Sequence, residues 1–145
     1  MILTFNRPRW GILSSKIIIQ EEDFSLDEIL NIIKAADEDI GAVVMFVGIV
    51  RAHEENKTVK YLDYEHYPLM AEKYLEKLRD EAISRFNLKD LIVIHRVGKR
   101  YPSENVVVIA AASEHRKEAF EACSWYIEEL KKIVPIWKKA FIEGG

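Results

Sequence analysis

The sequence predicts an α+β fold, with three main helices against a largely antiparallel sheet. Two observations carry this. Three stretches repeat apolar residues at helical spacing, while five shorter ones are β-branched and bounded by turn residues. Four of those five strands form neighbouring pairs, 41–51 with 59–67 and 91–97 with 105–112, and each pair is joined by a short polar segment. Such hairpin-like pairing favours an antiparallel sheet over βαβ crossovers. The expected order is β-α-β-β-α-β-β-α.

Each element has its own signal. Ser15 to Gln20 reads as a short strand. Ser25 and Glu28 then stand at capping-box spacing, opening a helix with Leu26, Ile29, Leu30 and Ile33 on one face and an end near Ala36. Residues 41–51 are almost continuously apolar and predict a central strand buried on both faces. Gly48 inside that run marks a bulge or a close backbone approach. Residues 53–57 form a polar turn, and residues 59–67 return in a hairpin. Pro68 suits a helix start; Ala71, Leu75, Leu78, Ala82 and Phe86 make its stripe, and Asn87 its stop. Two strands follow at 91–97 and 105–112, around a turn at 98–103. Ser113 is placed to cap a last helix beginning at Glu114, with Ala119, Phe120, Cys123, Ile127, Leu130 and Val134 on its stripe. Pro135 ends it.

Composition narrows the function classes. At 145 residues, 49% apolar and 31% charged, the chain has the size and balance of one globular domain rather than a disordered segment. Residues 1–14 read as an extension and residues 15–145 as the domain. The apolar run at 40–50 is far too short to span a bilayer. The N-terminus carries its charges after its apolar residues, the wrong order for a secretory signal. A cytoplasmic location and no membrane partner are therefore expected. A net charge of −3 argues against broad nucleic-acid binding. Cys123 is the single cysteine, so no internal disulfide forms, and its place on a helical stripe predicts a packed thiol. His53, His66, His95 and His115 show no metal-ligand spacing, and no nucleotide-binding or nucleophile-elbow motif occurs. Neither a metal nor a cofactor is expected.

The chemistry-bearing candidates lie elsewhere. Residues 129–139 hold four lysines, two of which, Lys131 and Lys138, bracket the apolar run Ile133-Val-Pro-Ile-Trp137. Lysines around a hydrophobic turn are candidates for partial desolvation, which lowers an ammonium pKa and suits it to proton transfer. A solvated lysine face is the plainer reading. In Ser113-Glu-His-Arg116 a strand end meets a helix N-terminus, and His115 and Arg116 add cations where backbone N–H groups favour an anion. Both side chains facing solvent is the alternative. Arg51 ends the apolar strand, either at a site or as a surface charge. His66 and His95 fall on alternating apolar faces, as hydrogen-bonded structural histidines do.

Taken together, these segments resemble the MoaE family, the large catalytic subunits of molybdopterin synthase. The resemblance rests on Gly41-Ala-Val-Val-Met-Phe-Val-Gly-Ile-Val-Arg51, Tyr64-Glu-His-Tyr-Pro-Leu-Met70, Ile94-His-Arg-Val-Gly98, Ser113-Glu-His-Arg-Lys-Glu-Ala-Phe120 and Val134-Pro-Ile-Trp-Lys138. It implies an α/β-hammerhead fold and a homodimer carrying two small ubiquitin-like, MoaD-like subunits. It implies transfer of sulfur from the small subunit's C-terminal thiocarboxylate to cyclic pyranopterin monophosphate, which forms the dithiolene of molybdopterin. Lys131 and Lys138 take the catalytic positions. Ile49, Val50, Arg51, His115, Arg116, Lys139 and Ala140 take the substrate-binding ones, with His115 and Arg116 reaching across the dimer. Two departures stand out: Ala140 replaces a residue that is commonly acidic, and the sequence given ends at Gly145, before the family's Trp-containing tail. A non-catalytic anion-binding module and a carrier activated at Gly145 are the competing readings.

Overall fold

The structure is a computed structural model that describes residues 16–143. The extension expected at 1–14 and the terminal Gly144 and Gly145 lie outside the described residues. The elements run β1 (Ile17–Gln20), α1 (Leu26–Lys34), β2 (Ala42–Ile49), β3 (His53–Glu54), β4 (Lys57–His66), α2 (Met70–Phe86), β5 (Asp90–Arg96), β6 (Gly98–Arg100), β7 (Asn105–Ser113), α3 (Arg116–Ile133) and β8 (Ile136–Ile142).

The α+β class and the three helices are as expected, but the strands divide into two sheets. One has the order β1-β5-β7-β2; the other has the order β3-β4-β6, with β8 also paired to β4. Only β1 and β5 run parallel among these pairs. The first sheet carries the core on both faces. Leu91 and Val93 face α2 and α3, whereas Ile92 and Ile94 face α1, as strand alternation requires. Ile29 and Ile33 are fully buried against that second face. Each contributes roughly 1.5–3 kcal/mol of apolar burial. Ser25 caps α1 by accepting from the Glu28 N–H at 3.3 Å. Asn87 ends α2 in the left-handed region, at φ 54°.

Several expectations need correction. Residues 41–51 do not form a central strand, because among the described residues β2 is the outer strand of its sheet, paired only with β7. Its apolar continuity still has a cause: Val44 and Phe46 pack toward one core cluster, Val43, Met45 and Val47 toward the other. Nor does it form a hairpin with the following strand. The ladder shifts register between Gly48 and Ile49, and Val50 then bonds to Ser103 and Glu104. A Cβ on Gly48 would sit 2.8 Å from the Val107 side chain, so the close approach there requires glycine. The chain thus leaves the first sheet and turns in the second. There β3 and β4 form a hairpin over Glu55 and Asn56, at φ 51° and 64°, as a type I′ turn demands.

The last helix also differs. It begins at Arg116, with His115 as N-cap and no side-chain cap. Ser113 ends β7, buried, and its hydroxyl donates to the His115 carbonyl. Phe120 does not face the core but is 61% exposed, whereas Tyr126 is fully buried. The Tyr126 hydroxyl donates to the Leu75 carbonyl at 2.7 Å, tying α3 to α2. After Pro135 the chain forms β8, an unanticipated strand. Residues 98–100, read as part of a turn, form the short strand β6 against β4. Among the described residues, no helix is long and apolar enough to cross a membrane.

One buried ion triad anchors the start of β5. Asp90 accepts from Lys16 and Arg79, each at 2.7 Å, and its side chain is 5% exposed. Removing that carboxylate leaves two cations without their partner. Asp90→Ala is therefore expected to cost about 3 kcal/mol, with Lys16 and Arg79 still part-solvated. Urea denaturation of variant and parent measures it.

Candidate active site

A cleft of about 520 Å³ opens where the two sheets, α3 and β8 meet. Its walls include Phe46, Gly48 and Ile49 from β2, His95 from β5, Val107 from β7, and Tyr64 from β4. The C-terminal end of α3 gives Ile127, Leu130 and Lys131, while Ile136, Trp137 and Lys138 come from β8. Arg51, just beyond β2, completes the cationic rim.

Strand pairing explains why the lysines diverge. In the β4–β8 ladder Tyr64 stands opposite Lys138, and Asp63 stands opposite Lys139. Directly opposed residues share a face and neighbours in sequence do not. Lys138 therefore joins Tyr64 at the cleft. Lys139 lies outside the lining, its Nζ 5.9 Å from the Phe141 ring centroid. Ala140 pairs with Leu62 and is also outside the lining. Pro135 makes this possible by stopping α3 and starting β8 close by, with the Ile136 N–H bonded to the Val134 carbonyl.

Of the residues expected at the site, Ile49, Arg51, Lys131 and Lys138 meet in the cleft. Val50 does not: it is buried in the core and 4% exposed. His115 and Arg116 lie exposed at the opposite end of α3. Lys131 and Lys138 are exposed in the single chain, as the plainer reading of a solvated lysine face has it, and not partly desolvated. The Lys138 ammonium lies 3.8 Å from the Glu54 carboxylate. Part-exposed pairs of this kind are worth little stability, so both cations remain available to a ligand.

The floor is chemically different from the rim. His95 is 5% exposed. Its Nδ1 lies 2.7 Å from the Arg96 carbonyl, and its ring meets Tyr64 at 5.5 Å in an edge-on arrangement. Burial pushes the His95 pKa down to about 4, opposed by a smaller raising effect of that hydrogen bond and reinforced by the nearby His66. Burial and then the Glu54 charge push the Tyr64 pKa up. Sequence reasoning placed His95 as a structural histidine and did not weigh Tyr64 as a site residue. The alternation of β5 puts His95 on the buried face, but only the meeting of two sheets opens that face to a cleft. The available signal was their shared presence in the segments that resemble the family.

Cys123 is packed as expected. Its thiol donates to the carbonyls of Val44 and Ile109 at 3.3 and 3.5 Å. Burial raises its pKa to about 11. Among the described residues, no group of His, Cys, Asp and Glu is arranged to hold a metal ion.

Fold and site together define an α+β domain that presents a cationic rim over a neutral, aromatic floor. The MoaE protein family model matches residues 19–133. The chain is 44% identical over 123 residues to the molybdopterin synthase catalytic subunit of Ralstonia nicotianae, covering 85% of this chain and 70% of that protein. To the subunit of the same name from Escherichia coli it is 41% identical over 131 residues, covering 90% and 87%. The molybdopterin synthase structure from Staphylococcus aureus superposes with a TM-score of 0.84 at 36% identity, covering 92% of this chain and 96% of that one. A complex of subunits 1 and 2 of the molybdopterin-converting factor from Helicobacter pylori gives a TM-score of 0.72 at 26% identity, covering 90% and 88%. The chain belongs to the MoaE family, the catalytic subunits of molybdopterin synthase.

Two measurements follow from the geometry. Because His95 has a folded-state pKa of about 4 against an ordinary 6.5, the unfolded chain binds the extra proton first as pH falls. Its contribution is complete above pH 6.5 and is lost as pH drops toward 4, with a slope of at most about 1.4 kcal/mol per pH unit. His95→Asn should flatten that part of the stability-against-pH curve relative to the parent. Cys123→Ala should cost about 1–2 kcal/mol in denaturation, as small core truncations do, and leave turnover intact. A folded but inactive Cys123→Ala protein would contradict the packed-thiol assignment.

Proposed function

We propose that this chain acts in the cytoplasm as the catalytic subunit of a molybdopterin synthase. It takes sulfur from the C-terminal thiocarboxylate of a small ubiquitin-like partner and delivers it to cyclic pyranopterin monophosphate, building the dithiolene. The observation that carries this reading is the cleft itself, where Arg51, Lys131 and Lys138 meet around a recess of about 520 Å³. Both reactants are anionic at their reacting or anchoring ends. Arg51 holds phosphate by a bidentate guanidinium contact. Lys131 and Lys138 hold the incoming tail while its sulfur bonds to a carbon of the pyranopterin. They then polarise the acyl group and move protons as water attacks the acyl carbon, the acyl carbon–sulfur bond breaks and the tail leaves as a carboxylate. The protein needs no sulfur of its own, in keeping with a buried Cys123.

The working unit is a homodimer. His115 and Lys131 are separated along α3 by sixteen residues, roughly 24 Å at 1.5 Å per residue, too far for one small substrate. A second copy brings its His115 and Arg116 beside the first copy's lysines and completes the phosphate site. The outer strand β2 supports this, since it is apolar, half-exposed and, among the described residues, unpaired along one edge. The bare first turn of α3, with no side-chain cap, adds backbone donors for an anion.

Lys131→Ala is expected to lower product formation by about a hundredfold or more, the scale of a positioned proton-transfer group. Arg116→Ala and Lys131→Ala subunits, each inactive alone, should regain part of the activity when mixed, because half of the sites in a heterodimer are then intact. Dithiolene formation with a thiocarboxylated partner is the assay. Heterodimers that form but stay inactive rule out the shared site. Binding without any turnover favours the anion-binding module instead.

A further inference from the structure

We propose that His95 recognises the substrate ring: its Nε2 accepts a hydrogen bond from an N–H group of the reduced pterin. This deepens the function proposed above and rests on it.

The tautomer follows from geometry. The Arg96 carbonyl is only an acceptor, so the Nδ1 that meets it at 2.7 Å carries the proton. Nε2 is then left with a lone pair. It has no protein partner among the described residues, and it is absent from the buried unpaired side-chain atoms. Since His95 forms part of the cleft wall, this nitrogen opens onto the cleft. The ring is fixed from two sides, by the Arg96 carbonyl and by the edge-on Tyr64 at 5.5 Å. A positioned acceptor of this kind discriminates strongly, because a ligand lacking the donor leaves it unpaired.

Charge decides which part of the ligand sits there. The rim holds three cations, Arg51, Lys131 and Lys138, whereas the nearby floor offers Phe46, Val107, Tyr64 and His95. Anionic phosphate and thiocarboxylate belong at the rim. A lone pair repels them and attracts N–H donors, in which the reduced pterin is rich. Burial keeps the imidazole uncharged near neutrality, with His66 acting in the same direction. An uncharged His95 so far below neutral pKa is a poor proton acceptor, which makes recognition its role rather than base catalysis.

The test uses the full-length chain. His95→Asn keeps an amide N–H within reach of the Arg96 carbonyl and removes the acceptor from the cleft; His95→Gln places an amide oxygen near the Nε2 position. Calorimetry should find the Kd of cyclic pyranopterin monophosphate about tenfold higher for His95→Asn. His95→Gln should recover much of that loss. Binding of inorganic phosphate and of the small partner should stay unchanged in both. Equal pyranopterin affinity in His95→Asn and parent overturns the inference and leaves the sulfur-transfer function standing. Weakened partner binding with normal pyranopterin affinity overturns it too, by assigning Nε2 to the tail. A parent protein that binds no pyranopterin overturns the function and this inference together. Nitrogen NMR of the histidine-labelled parent gives a reading free of folding effects: the unprotonated Nε2 resonance should shift on adding the pyranopterin but not on adding phosphate. An unmoved resonance sinks the proposal.

Discussion

The ladder between β4 and β8 is the constraint on which the site depends. It holds Lys138 opposite Tyr64 and Ile136 opposite His66, and it makes the segment after Pro135 a wall of the cleft. Period-two alternation then sorts the two neighbouring lysines: Lys138 faces the cleft and Lys139 does not. A shift by one residue would exchange them, placing Ala140 and Lys139 in different environments and removing Lys138 from Tyr64. The presence of Lys138 at the cleft is thus specified by strand register more than by local sequence.

The cleft separates charge from neutrality over a short distance. Its cations sit where water reaches them, so the fold does not have to meet the large cost of burying them unpaired. Its titratable floor groups, the buried His95 and the half-buried Tyr64, are held in their uncharged forms by that burial. An anionic reactant entering such a site meets attraction at the rim and fixed dipoles at the floor. Screening of the rim falls once a ligand or second protein excludes water, and the exposed lysines gain most of their influence then.

The two ends of α3 pose the remaining geometric problem. Tyr126, Cys123 and Leu130 bind the helix to the core along its length, so it is a rigid spacer between His115 and Lys131. Neither end can approach the other within one chain. The half-exposed outer edge of β2, continuous with the Ile49 and Arg51 end of the cleft, offers the surface through which a second copy would bring them together.

Local chemistry made much of the fold legible in the sequence. Ser25 at its cap, Asn87 in the left-handed region and Cys123 on its stripe each act through contacts between near neighbours or through one strongly periodic face, and Gly48 marks its close approach by being a glycine within an apolar run. The resemblance to the family likewise located Arg51, Lys131 and Lys138. Other features depend on partners far away in the chain. Residues 41–51 look like a central strand because both faces are apolar, yet an edge left unpaired among the described residues leaves no mark on side-chain pattern. Residues 136–142 carry no distinctive strand signal, and only β4, some seventy residues earlier, makes them one. His95 has the sequence context of a structural histidine and is one on its Nδ1 side. Its other nitrogen acquires a setting for chemistry only where the second sheet closes over the end of the first, since a cleft is made by surfaces that the linear sequence does not bring together.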